Sequence, residues 1–449
     1  MIAEHSANAA TGAAMKSLLI FSDDWGRHPS SCQHLTRQLL DRYKVLWVNT
    51  IGTRAPRLDM ETAKRVTGKL RQWGSSKRRS REPELATTNS GDISQPATPT
   101  HPNLTVVNPK MWPWFGGPRA RRFNRWLLSK QLTPLIEELP QPVAGLTTLP
   151  ITADLPEILP VDRWVYYCVD DFSQWPGLDG ETLRSMDHDM IQRADSIVAV
   201  SEHLQAMIAH EGRTSSLLTH GVDIEYWQPG GRPVWTQDPL REFSCPRIVF
   251  WGVIDRRMDS AAIQQLSRDL SGKGSIILIG PQQDPDPIMH SLPNVFTMPA
   301  QPMSVLPEIA QRTDVLIMPY ADLPVTRAMQ PLKLKEYLAT GRPVVVNRLP
   351  STDAWSDCLD VAESPEQFSH RVRERISMGV PETQIVARRR LQQERWGSKA
   401  EQLESVLKNA AYCCPVAPPT GTLVGLGINP NKVSVLQSAE RLANNKVVP

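Results

Sequence analysis

Lys333 and Glu336 stand three residues apart in "QPLKLKEYLATGRPVVV", Gln330 to Val346. Pro331 suits a first helical turn, Gly341 the position just past a helix end, and Pro343 prevents continuation. That punctuation predicts a helix over about residues 331–340. Leu334 and Leu338, four apart, make its buried stripe, and Lys333 and Glu336 share another side. Gln330, Pro331, Leu332 and Lys333 form its start, where the amides at 331–333 and the helix dipole favour a phosphate. One turn further in, the Glu336 carboxylate has the chemistry to accept hydrogen bonds from a ribose diol. The plainer alternative is a Lys333–Glu336 surface pair worth roughly a few tenths of a kcal/mol.

Other groups stand where apolar runs end. "FWGVIDRRMD" closes one run at Gly252 and continues into Arg256 and Arg257, either of which has the rigid fork that clamps a diphosphate. A surface arginine pair is the plain alternative. "WVYYCV" runs into Asp170 and Asp171, and a carboxylate there could act as a base or hold a hydroxyl. Adjacent side chains diverge, so at most one of them faces a ligand, and loop capping explains both equally simply. "SLLIF" leads into "SDDWGRHPSS", where Ser30 or Ser31 can cap a helix running to about Leu40 and His28 is a candidate site histidine or an ordinary surface one. In "THGVDIEYWQP", Gly221 offers a tight turn and Asp223 a capping carboxylate.

These groups need a scaffold that gathers strand ends. Runs at 17–21, 44–49, 103–107, 143–148, 164–169, 196–200 and 215–219 are short, apolar and β-branched, as suits strands covered on both faces. A second set lies at 247–252, 275–280, 294–298, 314–320, 343–347 and 360–363, with helix-length segments between most of them. The expected architecture is α/β: two Rossmann-like, doubly wound parallel-sheet domains facing across a cleft, with ligands at the carboxyl ends of the strands. The expected boundaries are a loose leader (1–15), a first domain (16–226) with a mobile loop at about 74–102, and an interdomain linker (227–244). A second domain (245–387), a crossover helix (388–412) and a disordered tail (413–449) complete the chain.

At 449 residues, two domains are the natural expectation. A net charge of only +3 gives no global argument for nucleic acid. The six cysteines show no C-x-x-C spacing and no Cys/His grouping of zinc type, which suits free thiols in a reducing cytoplasm and no bound metal or cofactor. No run is long enough to span a bilayer, and the first residues lack the pattern of a secretory signal.

Six segments, taken in order, resemble GT-B glycosyltransferases of the family-4 type: "VYYCVDDFSQWPG", "ADSIVAVSEHL", "HGVDIEYWQP", "WGVIDRRMD", "NVFTMPAQPMSVLPEIAQRTDVLIMPY" and "PLKLKEYLATGRPVVV". The resemblance covers roughly residues 17–410 and is nearest to the bacterial teichuronic-acid and exopolysaccharide glycosyltransferases. It implies a nucleotide diphosphate sugar donor held mainly by the second domain, with Glu336 on the ribose and Arg256 or Arg257 on the diphosphate. It also implies metal-independent transfer with retention of configuration to a glycan or lipid-linked acceptor. One departure matters. Many members carry another glutamate eight positions before the helix one, and here that position is Ala328. Thr326, Arg327 and the Gln330 amide are the nearby substitutes. The departure keeps open a sugar-nucleotide-binding protein without transfer activity, and a GT-B-fold nucleotide-sugar epimerase is the other alternative.

"MWPWFGGPRARRFNRWLLSK", Met111 to Lys130, sets Trp112, Trp114 and Phe115 before Arg119, Arg121, Arg122 and Arg125. Aromatics beside arginines suit docking on an anionic bilayer, at the inner face of the cell membrane. Phe123, Trp126 and Leu127 also read as a helical core stripe with a solvated arginine face, and that plainer pattern is preferred from sequence alone.

Overall fold

Apolar runs with no polar alternation must be covered on both sides, and they are. The computed structural model describes residues 15–26, 30–49, 101–112, 115–175, 177–228 and 238–408. The expectations for the leader up to residue 14, the 74–102 loop, linker residues 229–237, the 413–449 tail and His28 lie outside the described residues.

The first domain contains β1 (Ser17–Ser22), β2 (Lys44–Asn49), β3 (Leu104–Val107), β4 (Val143–Thr147), β5 (Arg163–Cys168), β6 (Ser196–Ala199) and β7 (Ser216–Leu217). They form one parallel sheet in the order β3-β2-β1-β4-β5-β6-β7. In the second domain the chain forms β8 (Arg247–Trp251), β9 (Ile254–Asp255), β10 (Ser275–Ile279), β11 (Gln282–Gln283), β12 (Val295–Met298), β13 (Val315–Met318), β14 (Val344–Asn347) and β15 (Asp360–Ala362). Six of these pair in parallel as β12-β10-β8-β13-β14-β15, and β9 and β11 make a separate two-stranded ribbon. The two short ribbon strands have no signature in the sequence.

The strand orders say where ligands belong. In the first sheet the chain moves outward from β1 in one direction, then returns to β4 and moves outward in the other. In the second sheet the same reversal separates β8 from β13. Reversal leaves a crevice beyond the carboxyl ends of the central strands, since the flanking connections leave in opposite directions. In the second domain that crevice is flanked by Gly252–Arg257 after β8, and by Tyr320 and the helix Leu332–Ala339 after β13.

One apolar cluster fills the second domain, and two cover the two faces of the first sheet. The last described helix, Trp396–Lys408, begins well after Arg388, because residues 388–394 form a 3-10 run first. It returns to the first domain, burying Ala400, Leu403 and Leu407 in the cluster that holds Leu35 and Leu39. Glu404 on this helix accepts hydrogen bonds from Tyr43 and Arg42.

Candidate functional site

The turn after β8 is built for close approach. Gly252 has φ 145°, where L side chains are strained, and a Cβ there would lie 2.6 Å from the Lys333 amine. Gly280 after β10 has φ 150°, and its Cβ would lie 1.8 Å from the Gly252 carbonyl oxygen. The Lys333 amine therefore rests over bare backbone. It donates to the Tyr320 hydroxyl at 2.7 Å and lies 5.4 Å from the Phe250 ring centroid.

The two candidate arginines separate. Arg256 is exposed and pairs with Asp284 at 3.3 Å, away from the crevice. Arg257 is 5% exposed and pairs with Asp255 at 2.8 Å. Its guanidinium lies between Trp175 of the first domain, 4.7 Å from the ring centroid, and Tyr320 of the second, at 5.7 Å. Burial works against its charge, but Asp255, Tyr320 and Asp170 outweigh that and hold its pKa above the usual arginine value.

The helix Leu332–Ala339 starts one residue later than expected, with Pro331 as its cap. Two corrections follow. Proline carries no N–H, so only Leu332 and Lys333 of the expected 331–333 set offer free amides; the Leu334 amide is already bonded to the Pro331 carbonyl. The Lys333–Glu336 surface pair does not form, because Lys333 turns to Tyr320. Glu336 instead lines a cavity of about 260 Å³ shared by Gly26, Gln33, His34 and Arg37 of the first domain with Tyr226, Trp227, Met303 and Trp396. Burial pushes the Glu336 carboxyl up to about 7, with Lys333 and the Trp251 indole pulling the other way. Gln330 stands next to the Pro331 cap, and its backbone only partly offsets the burial that pushes the His220 imidazole down to about 3.

On the first domain, Asp170 and Asp171 diverge as adjacent residues must. Asp171 is occupied locally: it caps the short 3-10 helix Phe172–Gln174 through the Ser173 amide at 3.0 Å and also accepts from the Ser173 hydroxyl. Asp170 is the one that interacts electrostatically with Arg257. Burial pushes its carboxyl up to about 7, against the pull of Arg257, and Asp171 adds to the rise.

Ala328 is 1% exposed and packs into the first-domain cluster, while its carbonyl accepts from Ser201 at 3.1 Å. The neighbouring substitutes are also occupied. Thr326 is buried and bonds within its own turn, and exposed Arg327 pairs with Asp322.

Sequence reasoning missed several groups at this seam. Tyr320 and Trp175 are single aromatics at run ends, with nothing in the sequence to mark them as the two walls around Arg257. Lys335, which nothing in the sequence singles out, is 2% exposed. It bonds Glu394, the His220 carbonyl and Thr219, and Lys399 joins the same group through Glu394 and Thr219. Gly221 admits this packing, since a Cβ there would lie 2.7 Å from the Trp396 ring.

No protein-family model matches the chain. It is 30% identical over 261 residues to TuaH of Bacillus subtilis, a protein inferred to be a teichuronic acid biosynthesis glycosyltransferase. That match spans 52% of this chain and 64% of TuaH, less than two thirds of the relative's length. Among solved structures, Anabaena Alr3699/HepE in complex with UDP and glucose aligns with TM-score 0.56 at 12% identity, over 87% of this chain and 99% of that one. Sucrose-phosphate synthase from Thermosynechococcus elongatus aligns with TM-score 0.59 at 12% identity, over 87% and 98%. With its two parallel sheets and a crevice at each strand-order reversal, the chain has the two-Rossmann-domain fold of the GT-B glycosyltransferases.

Proposed function

We propose that this chain transfers a sugar from a nucleotide diphosphate sugar to a glycan or lipid-linked acceptor, in the synthesis of a bacterial surface polysaccharide. The observation that carries the proposal is the convergence at the β8/β13 crevice. One buried arginine and one lysine over bare glycine backbone both lie against Tyr320, and half-buried Glu336, one turn further along the Lys333 helix, lines a cavity. The first two match a diphosphate and the third a ribose diol. The names of TuaH and of the HepE complex with UDP and glucose support the same reading.

Breaking the bond between sugar and diphosphate moves negative charge onto the departing phosphate. Arg257, Lys333 and the Leu332 and Lys333 amides are the groups that would receive it, with no metal required. Asp170 is the first-domain carboxylate available to hold a sugar or acceptor hydroxyl. The Trp175 indole N–H, which has no partner among the described residues, is a second group for the same purpose. Retention of configuration accords with the family-4 resemblance.

Donor binding without turnover and epimerisation are the competing readings, and one assay separates all three. The chain is incubated with a panel of nucleotide sugars, with and without acceptors. Acceptor-dependent release of nucleoside diphosphate is expected. A lipid-linked acceptor would place the chain at the inner face of the cell membrane, and no helix among the described residues is long and apolar enough to cross one.

A further inference from the structure

The helix Pro118–Glu137 was expected to bury Phe123, Trp126 and Leu127. It does not. Its inward stripe is Asn124, Leu128, Leu132 and Ile136, while Phe123 is 44% and Trp126 55% exposed. Trp112, on the segment before it, is 46% exposed. Phe123 joins the other two rings: Trp112 meets it edge-on at 6.1 Å between centroids, and it stacks on Trp126 at 5.8 Å.

This exposed cluster is held in place. Buried Asn124 accepts from the Trp112 amide at 2.7 Å and donates to its carbonyl at 3.0 Å. Two residues earlier, Gln131 grips the Lys110 amide and carbonyl in the same way, at 2.8 and 2.9 Å. Two side-chain amides thus fix the 110–112 segment against the helix and keep Trp112 beside Phe123.

The charge that the helix itself carries beside the cluster is of one sign. Between Pro118 and Ile136 the helix has five basic residues and no acidic one. Arg121 and Arg125 turn to Asp154, Asp189 and Glu157. Arg119 and Arg122 are exposed and make no ion pair among the described residues, and the Lys130 amine sits 5.4 Å from the Trp126 ring centroid. The helix joins parallel strands β3 and β4, so it runs against them. Its first half, with the aromatic cluster, therefore lies at the carboxyl edge of the first sheet, the edge where the crevice opens.

We infer that this face, Trp112, Phe123 and Trp126 ringed by Arg119, Arg122 and Lys130, docks the protein on an anionic lipid bilayer. Aromatic rings with basic rims suit the boundary between headgroups and acyl chains. The inference deepens the proposed function, since a lipid-held acceptor would then enter the cleft from the docked edge.

Co-sedimentation of the full chain with phosphatidylcholine vesicles, with and without phosphatidylglycerol, tests it. Binding is expected only with the anionic lipid and should weaken with added salt. An Arg119→Gln/Arg122→Gln/Lys130→Gln variant should bind roughly a hundredfold more weakly, at about fivefold per charge. A Trp112→Ser/Phe123→Ser/Trp126→Ser variant should also release the vesicles. Both should keep wild-type melting and nucleotide affinity. No binding to anionic vesicles, or equal binding by both variants, overturns the inference. So does a concentration-dependent dimer that the aromatic variant abolishes, which assigns the face to protein contact. Lost donor binding in the wild-type chain would instead overturn the proposed function and leave lipid binding standing.

Discussion

The guanidinium of Arg257 in the second domain lies 4.7 Å from the ring centroid of Trp175 in the first. One of the two aromatics flanking the cation proposed to meet the diphosphate thus comes from the opposite domain. Arg257→Ala should lower kcat/KM by about a hundredfold or more, the usual effect of removing one charge-stabilising donor. Arg256→Ala, at an exposed residue paired with Asp284, should change it less than about twofold. Steady-state rates on a common donor make the comparison, and equal losses in both variants would reject the assignment.

Glu336 and Asp170 both have carboxyls raised to about 7. The sign follows from linkage. Between the unfolded carboxyl range and about pH 7, the folded chain binds more protons than the unfolded one. Stability therefore falls as pH rises through that window and levels off above it. Glu336→Gln should melt a few degrees higher than wild type at pH 8 and show little difference near pH 4. Nucleotide affinity runs the other way, because only the ionised Glu336 accepts both ribose hydroxyls. Calorimetry should show wild-type affinity rising about tenfold from roughly pH 6 to pH 8. In Glu336→Gln that rise should be missing.

Gly252→Ala tests the crevice floor. Its φ of 145° and the Lys333 amine 2.6 Å from the new Cβ predict a stability loss of about 1–3 kcal/mol. Displacing Lys333 should also weaken binding of nucleoside diphosphate much more than of nucleoside. Unfolding curves and two calorimetric titrations read both effects, and equal loss for the two ligands would remove Lys333 from the diphosphate.

Restoring a carboxylate eight residues before Glu336 should not restore anything. Ala328 is packed into the first-domain cluster, so Ala328→Glu buries an unpartnered charge at a cost of about 3–5 kcal/mol. Melting should fall by roughly 10 °C with no gain in turnover. A well-folded, faster variant would mean that this position faces the sugar after all.

How much of this was legible in the sequence depends on what each feature rests on. The runs of the two large sheets were visible because doubly covered strands need unbroken apolar stretches; "SLLIF" and "PVVVN" are examples. The caps of the Glu336 helix were visible because proline and glycine act locally. Arg256 could not be told from Arg257, because the two-residue strand β9 and the partner Asp284 decide which one turns inward. Trp175 and Lys335 owe their roles to the approach of distant segments. The stripe of the helix Pro118–Glu137 was misassigned because the sequence offered Phe123 and Trp126 as core, whereas the core position belongs to Asn124, a polar residue buried for its hydrogen bonds to Trp112.

The central claim is glycosyl transfer at the β8/β13 crevice. Its most direct measurement is nucleoside diphosphate release from a panel of nucleotide sugars, offered with monosaccharide, oligosaccharide and lipid-linked acceptors. The account predicts release that depends on one acceptor class and is abolished in Glu336→Ala and in the Arg256→Ala/Arg257→Ala double variant. Tight donor binding with no turnover on any acceptor, or interconversion of donor epimers without acceptor, would contradict it.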